Sequence, residues 1–84
     1  MSSTEFSLLR LHVVADSDPG VLIRVLERFV NLNVSPRRVI AEATINGTLY
    51  IEVDIVDLPE VSLTLMTSKL NECVFVENAY WTRV

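Results

Sequence analysis

The dipeptide Asn46-Gly47, set between two runs rich in apolar and β-branched residues, constrains this chain more than any other feature. Asn-Gly in that setting predicts a two-residue type I′ hairpin, because both central positions need positive φ and these residues tolerate it best. A two-residue loop pairs Ile45 with Thr48 and so sets the register of the two strands it joins. The earlier strand is read as Val34 to Ile45, with Pro36 near its start, which suits an edge strand that can spare a backbone donor. In that register one face carries Ile40, Leu49, Ile51, Val53 and Ile55 with Arg38, Glu42 and Thr44. The other carries Val39, Ala41, Ala43, Ile45, Tyr50, Glu52 and Asp54. The first face is expected to be the core. The second, half apolar, is expected to stay open.

Around this hairpin four more segments are legible. Phe6 to Ala15 alternates, with Leu9, Leu11, Val13 and Ala15 on one face, and reads as a strand. Asp16-Ser17-Asp18-Pro19-Gly20 interrupts it and signals a helix start, with Ser17 or Asp18 as N-cap. Leu22, Val25, Leu26, Phe29 and Val30 then recur at helical spacing, and Asn31 and Asn33 lie where that helix should end. A second helix follows Asp57-Leu58-Pro59-Glu60, with an acidic cap and a stripe of Val61, Leu63, Leu65, Met66 and Leu70. Val74 to Trp81 reads as the last strand, with Val74, Val76, Asn78 and Tyr80 on one face. The order β-α-β-β-α-β predicts an α+β, ferredoxin-like fold: a four-stranded antiparallel sheet with two helices on one face. Residues 1–84 are expected to form one domain, with its core at about 6–81.

Composition narrows the function. Half of the 84 residues are hydrophobic, and the net charge is −4. An acidic chain is poorly suited to neutralising phosphates, so no nucleic-acid partner is expected. No apolar run approaches the length of a membrane span, and the first residues carry no secretory pattern, so no membrane association and a cytoplasmic location are expected. The single cysteine, Cys73, excludes an intrachain disulfide and reads as a small buried hydrophobe at the start of the last strand. The single histidine, His12, sits mid-strand and reads as a structural or surface residue. Together they cannot supply the four ligands of a structural zinc site, and no phosphate loop or nucleophile motif occurs. Neither cofactor, metal nor catalysis is expected. The high apolar share in so small a body favours a homodimer.

One segment has the makings of a binding site. A loop that leaves a strand and opens a helix presents unpaired N–H groups at the positive end of a helix dipole, where a carboxylate is favoured. Gly20 would let a ligand approach the backbone closely. The same residues also read simply as a well-capped turn.

Asp16-Ser17-Asp18-Pro19-Gly20-Val21-Leu22-Ile23-Arg24-Val25-Leu26, with Phe29 and the Asn33-Val34 step, resembles the opening of ACT domains, Asp-x-Pro-Gly-Val-Leu-x-Arg-Val-Leu. The resemblance runs from about Leu8 to Tyr80. In size and plan the chain is most similar to the short regulatory subunits of acetolactate synthase, which confer feedback by branched-chain amino acids. That resemblance implies a non-catalytic module binding a small amino acid at the interface of paired domains to control a partner catalytic subunit. It implies ligand contacts from Asp16, Ser17, Asp18, Gly20, Val21 and Leu22 of one chain, and from strand residues such as Val39 and Ile40 of the other. Where the family often has Asn or Asp, this chain has Ser17, flanked by two acids. The alternative is therefore an ACT-like interaction or oligomerisation module with no small ligand.

Overall fold

The computed structural model describes residues 8–84, so Phe6 and Ser7, the expected start of the first strand, lie outside the described residues. The elements are β1 (Leu8–Asp16), α1 (Val21–Asn31), β2 (Arg38–Ala43), β3 (Thr48–Val56), α2 (Glu60–Asn71) and β4 (Val76–Arg83). They form one antiparallel sheet in the order β2-β3-β1-β4. This is the ferredoxin-like arrangement that the element order predicts. No helix among the described residues is long and apolar enough to cross a membrane.

β1 alternates as its sequence requires: Leu9, Leu11, Val13 and Ala15 are buried. They lie opposite Ile55, Val53, Ile51 and Leu49 of β3 and share one sheet face with them. Val21, Val25 and Phe29 of α1 and Leu63, Met66 and Leu70 of α2 join the same core, so both helices cover that face. α1 ends in a Schellman motif. Asn33 takes the left-handed conformation, with φ 57°, while its amide bonds the Val30 carbonyl and that of Val34 bonds the Phe29 carbonyl. Asparagine tolerates that φ, so the helix ends where the sequence leads one to expect.

Four local expectations give way to tertiary packing. The Asn46-Gly47 turn is a three-residue loop. Only Gly47 has positive φ (82°), the Gly47 amide bonds the Thr44 carbonyl, and Ala43 pairs with Leu49. This is a type I turn closed by a glycine bulge. The register differs by one residue from the expected pairing of Ile45 with Thr48, and a one-residue slip exchanges the faces of β2. Val39, Ala41 and Ala43 therefore lie on the helix side opposite Val53, Ile51 and Leu49. Arg38, Ile40 and Glu42 lie on the open side opposite Asp54, Glu52 and Tyr50. The observed register keeps Arg38 and Glu42 away from the helices. β2 is also shorter than the expected span of residues 34–45, and all six of its residues are exposed.

The second correction is in β4. Val14 pairs with Asn78 but Ala15 pairs with Val76, leaving Glu77 as a bulge residue. Val76 thereby turns to the core with Ala79, not to the face of Asn78 and Tyr80. Cys73 precedes the strand and is half-buried, with its Sγ 3.4 Å from Arg28 Nη2. The third concerns helix faces. α2 buries Leu63, Met66, Thr67 and Leu70, leaving Val61 (66%) and Leu65 (58%) exposed. In α1, Val21 replaces Val30 on the buried face. The fourth concerns caps. Neither helix has a side-chain cap: Gly20 and Pro59 occupy the N-cap positions, and Asp57 adopts φ 61° in the turn before α2.

Candidate functional site

The residues from Asp16 to Gly20 are exposed and form one compact turn at an end of the sheet. Backbone hydrogen bonds tie it to two other parts of the chain and close it on itself. The Asp16 amide donates to the Phe75 carbonyl (2.9 Å) and the Ser17 amide to the Gly47 carbonyl (2.9 Å). Within the turn, the amides of Asp18 and Val21 donate to the carbonyls of Asp16 and Asp18. The hairpin glycine and Phe75 thus brace the loop, a role the sequence did not reveal, because the contact joins residues far apart in the chain. The signal was present only in part, as the turn at Gly47.

The amides of Gly20, Leu22 and Ile23 find no backbone acceptor among the described residues. They cluster at the N-terminus of α1, where helix geometry leaves donors unsatisfied and the dipole favours negative charge. A methyl group built on Gly20 would meet nothing within 4 Å, so the space above this backbone is open. Gly20 has φ −89°, which any residue adopts. Gly20→Ala should therefore change stability by less than about 1 kcal/mol, with backbone stiffening set against the altered N-cap. Chemical denaturation checks this.

The other candidate residues fall in distinct places. The side chains of Asp16, Ser17 and Asp18 reach solvent, and neither acid has an ion-pair partner among the described residues. Val21 is 3% exposed and belongs to the core, so only its backbone is available to a ligand. Leu22 is half-buried. Val39 and Ile40 are not at the loop. Val39 lies opposite Val53, which faces Leu11, four residues and so about 13 Å along the sheet from Ala15. They also point to opposite faces, Val39 to the helix side and Ile40 to the open side. Within one chain the structure brings 16–22 together and leaves this pair apart.

The open face holds a separate charged cluster. Asp54, 5% exposed, accepts from Arg10 Nε at 2.7 Å and Arg10 Nη2 at 3.1 Å, and Arg38 Nη1 stands 3.8 Å away. The Arg10 hydrogen bonds hold the Asp54 carboxyl below its ordinary value; burial opposes this, and the charges of Arg10, Arg38 and Arg37 add to it. A depressed folded pKa contributes stability above the unfolded value and loses it as pH falls through the folded one. Asp54→Asn should thus be less stable near neutral pH. Its deficit should shrink as pH drops below the ordinary value of 3.8, as urea midpoints measured across that range would show. Beside the cluster His12 stacks on Tyr80, ring centroids 4.6 Å apart, with Nε2 3.0 Å from Thr82 Oγ1. Among the described residues no group of three or more His, Cys, Asp and Glu is gathered as a metal site requires.

No protein-family model matches the chain, and no curated protein matches it in sequence. Solved structures do. The chain is similar to the C-terminal domain of the MgtC protein from Mycobacterium tuberculosis, with a TM-score of 0.77 at 9% identity, covering 100% of this chain and 94% of that one. It is similar to the ACT domain from GTP pyrophosphokinase of Chlorobium tepidum, with a TM-score of 0.75 at 14% identity, covering 93% and 100%. An uncharacterized protein from Thermotoga maritima gives 0.73 at 12% identity, covering 95% and 99%. At these identities the likeness establishes the fold alone, the ferredoxin-like one that these domains share.

Proposed function

We propose that this chain is a regulatory module that binds a small amino acid, branched-chain by its resemblance, between two copies of itself and thereby controls a partner metabolic enzyme. The observation that carries the reading is the β1–α1 turn, where the amides of Gly20, Leu22 and Ile23 lack backbone acceptors among the described residues and the space beside Gly20 is open. They would hold a carboxylate, and the exposed Asp16 or Asp18 would take the ammonium. The fold shared with the ACT domain of a pyrophosphokinase supports a module of this kind.

A second copy would supply what one chain lacks. β2 is an edge strand, exposed on both faces, and among the described residues no strand pairs with its outward backbone groups. The opposite edge is blocked, because the Asn71 side chain binds both the amide and the carbonyl of Ala79. Pairing through β2 would bring Val39 of one copy near the other and hide part of its apolar surface. A ligand bridging two copies regulates only if it prefers one arrangement of the pair.

Calorimetric titration with each of the twenty amino acids tests the reading. Saturable heat from one or two of them, lost in Gly20→Ala while that variant remains folded, is the expected result. The absence of heat from all twenty would instead favour an ACT-like interaction module without a ligand, the reading that the exposed Val39, Ile40, Ala41 and Ala43 of β2 also support.

A further inference from the structure

The groove between the helices, on the side away from the sheet, has a chemistry unlike that of the β1–α1 turn. It encloses a cavity of about 300 Å³. That is about ten water molecules' worth of space, within the lower range of small-ligand sites. Leu32, Leu65 and Met66 provide its apolar wall, and Arg28 and Lys69 provide positive charge from the two facing helices. Among the described residues no acid lines this cavity. A second hollow of about 240 Å³ shares Arg28 and adds Arg24 and Phe75, with one acid, Glu27.

Two features mark this groove as more than a gap between helices. Leu65 is 58% exposed although α2 could have carried a polar residue there, so the groove offers apolar surface that the fold leaves uncovered. The chain is acidic overall and Lys69 is its only lysine, yet neither Arg28 nor Lys69 has an ion-pair partner among the described residues. One nitrogen of Arg28 reaches Cys73 Sγ at 3.4 Å, which leaves most of its five donors for another acceptor.

We infer that the groove formed by Arg28, Leu32, Leu65, Met66 and Lys69 is a second ligand site, for a short aliphatic carboxylate. The anionic head would lie between Arg28 and Lys69, where charge-assisted hydrogen bonds are available. The aliphatic tail would cover Leu65 and Met66, removing apolar surface from water. The lack of an acid selects against a free amino acid, whose ammonium would have only the neutral oxygens of Asn31 and Ser62 to accept from it, beside two cationic side chains. The site therefore differs in ligand class from the β1–α1 turn and does not depend on it.

Sodium octanoate is the probe. In an amide NMR titration of the full chain below the micellar concentration, saturable shifts should centre on residues 28–32 and 62–69. Lys69→Gln and Arg28→Gln should each weaken binding about tenfold, as expected for loss of one charge-assisted hydrogen bond. Both variants should keep the wild-type spectrum elsewhere. Octylammonium, with the same tail and opposite charge, should bind at least as poorly as octanoate binds the variants. Equal binding of the two amphiphiles would overturn the inference, as would shifts at residues 16–23 alone or shifts that never saturate.

Discussion

Phe29→Ala should leave the protein at the edge of unfolding at room temperature. Phe29 is fully buried (0% exposed) and is the largest residue of the core that joins α1 to the sheet. Truncating a buried phenylalanine costs about 3–5 kcal/mol, from lost transfer energy and the cavity left behind. Domains of this kind are stable by about 5–15 kcal/mol in all, and a small one sits near the lower end. Circular dichroism should show a urea midpoint shifted far toward zero, or no transition at all. Phe29→Leu, which keeps most of the volume, should unfold between the two. A wild-type midpoint for Phe29→Ala would mean that α1 is not part of the same cooperative core.

Asn71→Ala should cost about 2 kcal/mol even though Asn71 itself is exposed. Its Nδ2 donates to the Ala79 carbonyl at 2.9 Å, and its Oδ1 accepts from the Ala79 amide at 2.8 Å. One amide group thus satisfies both backbone groups of a residue that is 4% exposed on an edge strand. Each group left without a partner costs about 1–3 kcal/mol, reduced here because water can reach part of the gap. Asn71→Asp should fall between the two, since a carboxylate can accept from the Ala79 amide but cannot donate to its carbonyl. The substitution also bares the β4 edge, so Asn71→Ala should associate more strongly with concentration in sedimentation measurements. If Asn71→Ala is as stable as the wild type, solvent satisfies Ala79 and the edge is not closed by this residue.

The contrast between the two sheet edges bears on the proposed function. β4 carries a bulge at Glu77 and the Asn71 clasp, and both discourage pairing. β2 has neither, and its exposed Val39 and Ile40 are apolar. Under the proposed pairing, β2 is therefore the edge that would receive a second copy.

Much of this molecule follows from local chemistry. The alternation of Leu9, Leu11, Val13 and Ala15 dictates a strand with one buried face. The left-handed tolerance of Asn33 ends α1, and the breaks at Asp16–Gly20 and Asp57–Glu60 separate strands from helices. Element type and order depend on such short-range preferences, and so does the position of the candidate turn. What tertiary structure decided are choices between arrangements that local preference leaves nearly equal. Asn46-Gly47 suits both a type I′ turn and a type I turn with a glycine bulge. The second places Val39, Ala41 and Ala43 on the helix side and Arg38 beside Asp54, where its charge is useful. α2 is apolar on more than one side, and only its docking against β4 decides that Leu63 and Leu70 go inside while Leu65 stays out. The bulge at Glu77 turns Val76 inward, a rearrangement of one residue that no periodicity signals. The turn that presents the unpaired amides of Gly20, Leu22 and Ile23 is held by the carbonyls of Gly47 and Phe75, from two other parts of the chain. Patterns a few residues long specify which elements form; register, buried face and the shape of a site depend on partners that only the folded chain brings within reach.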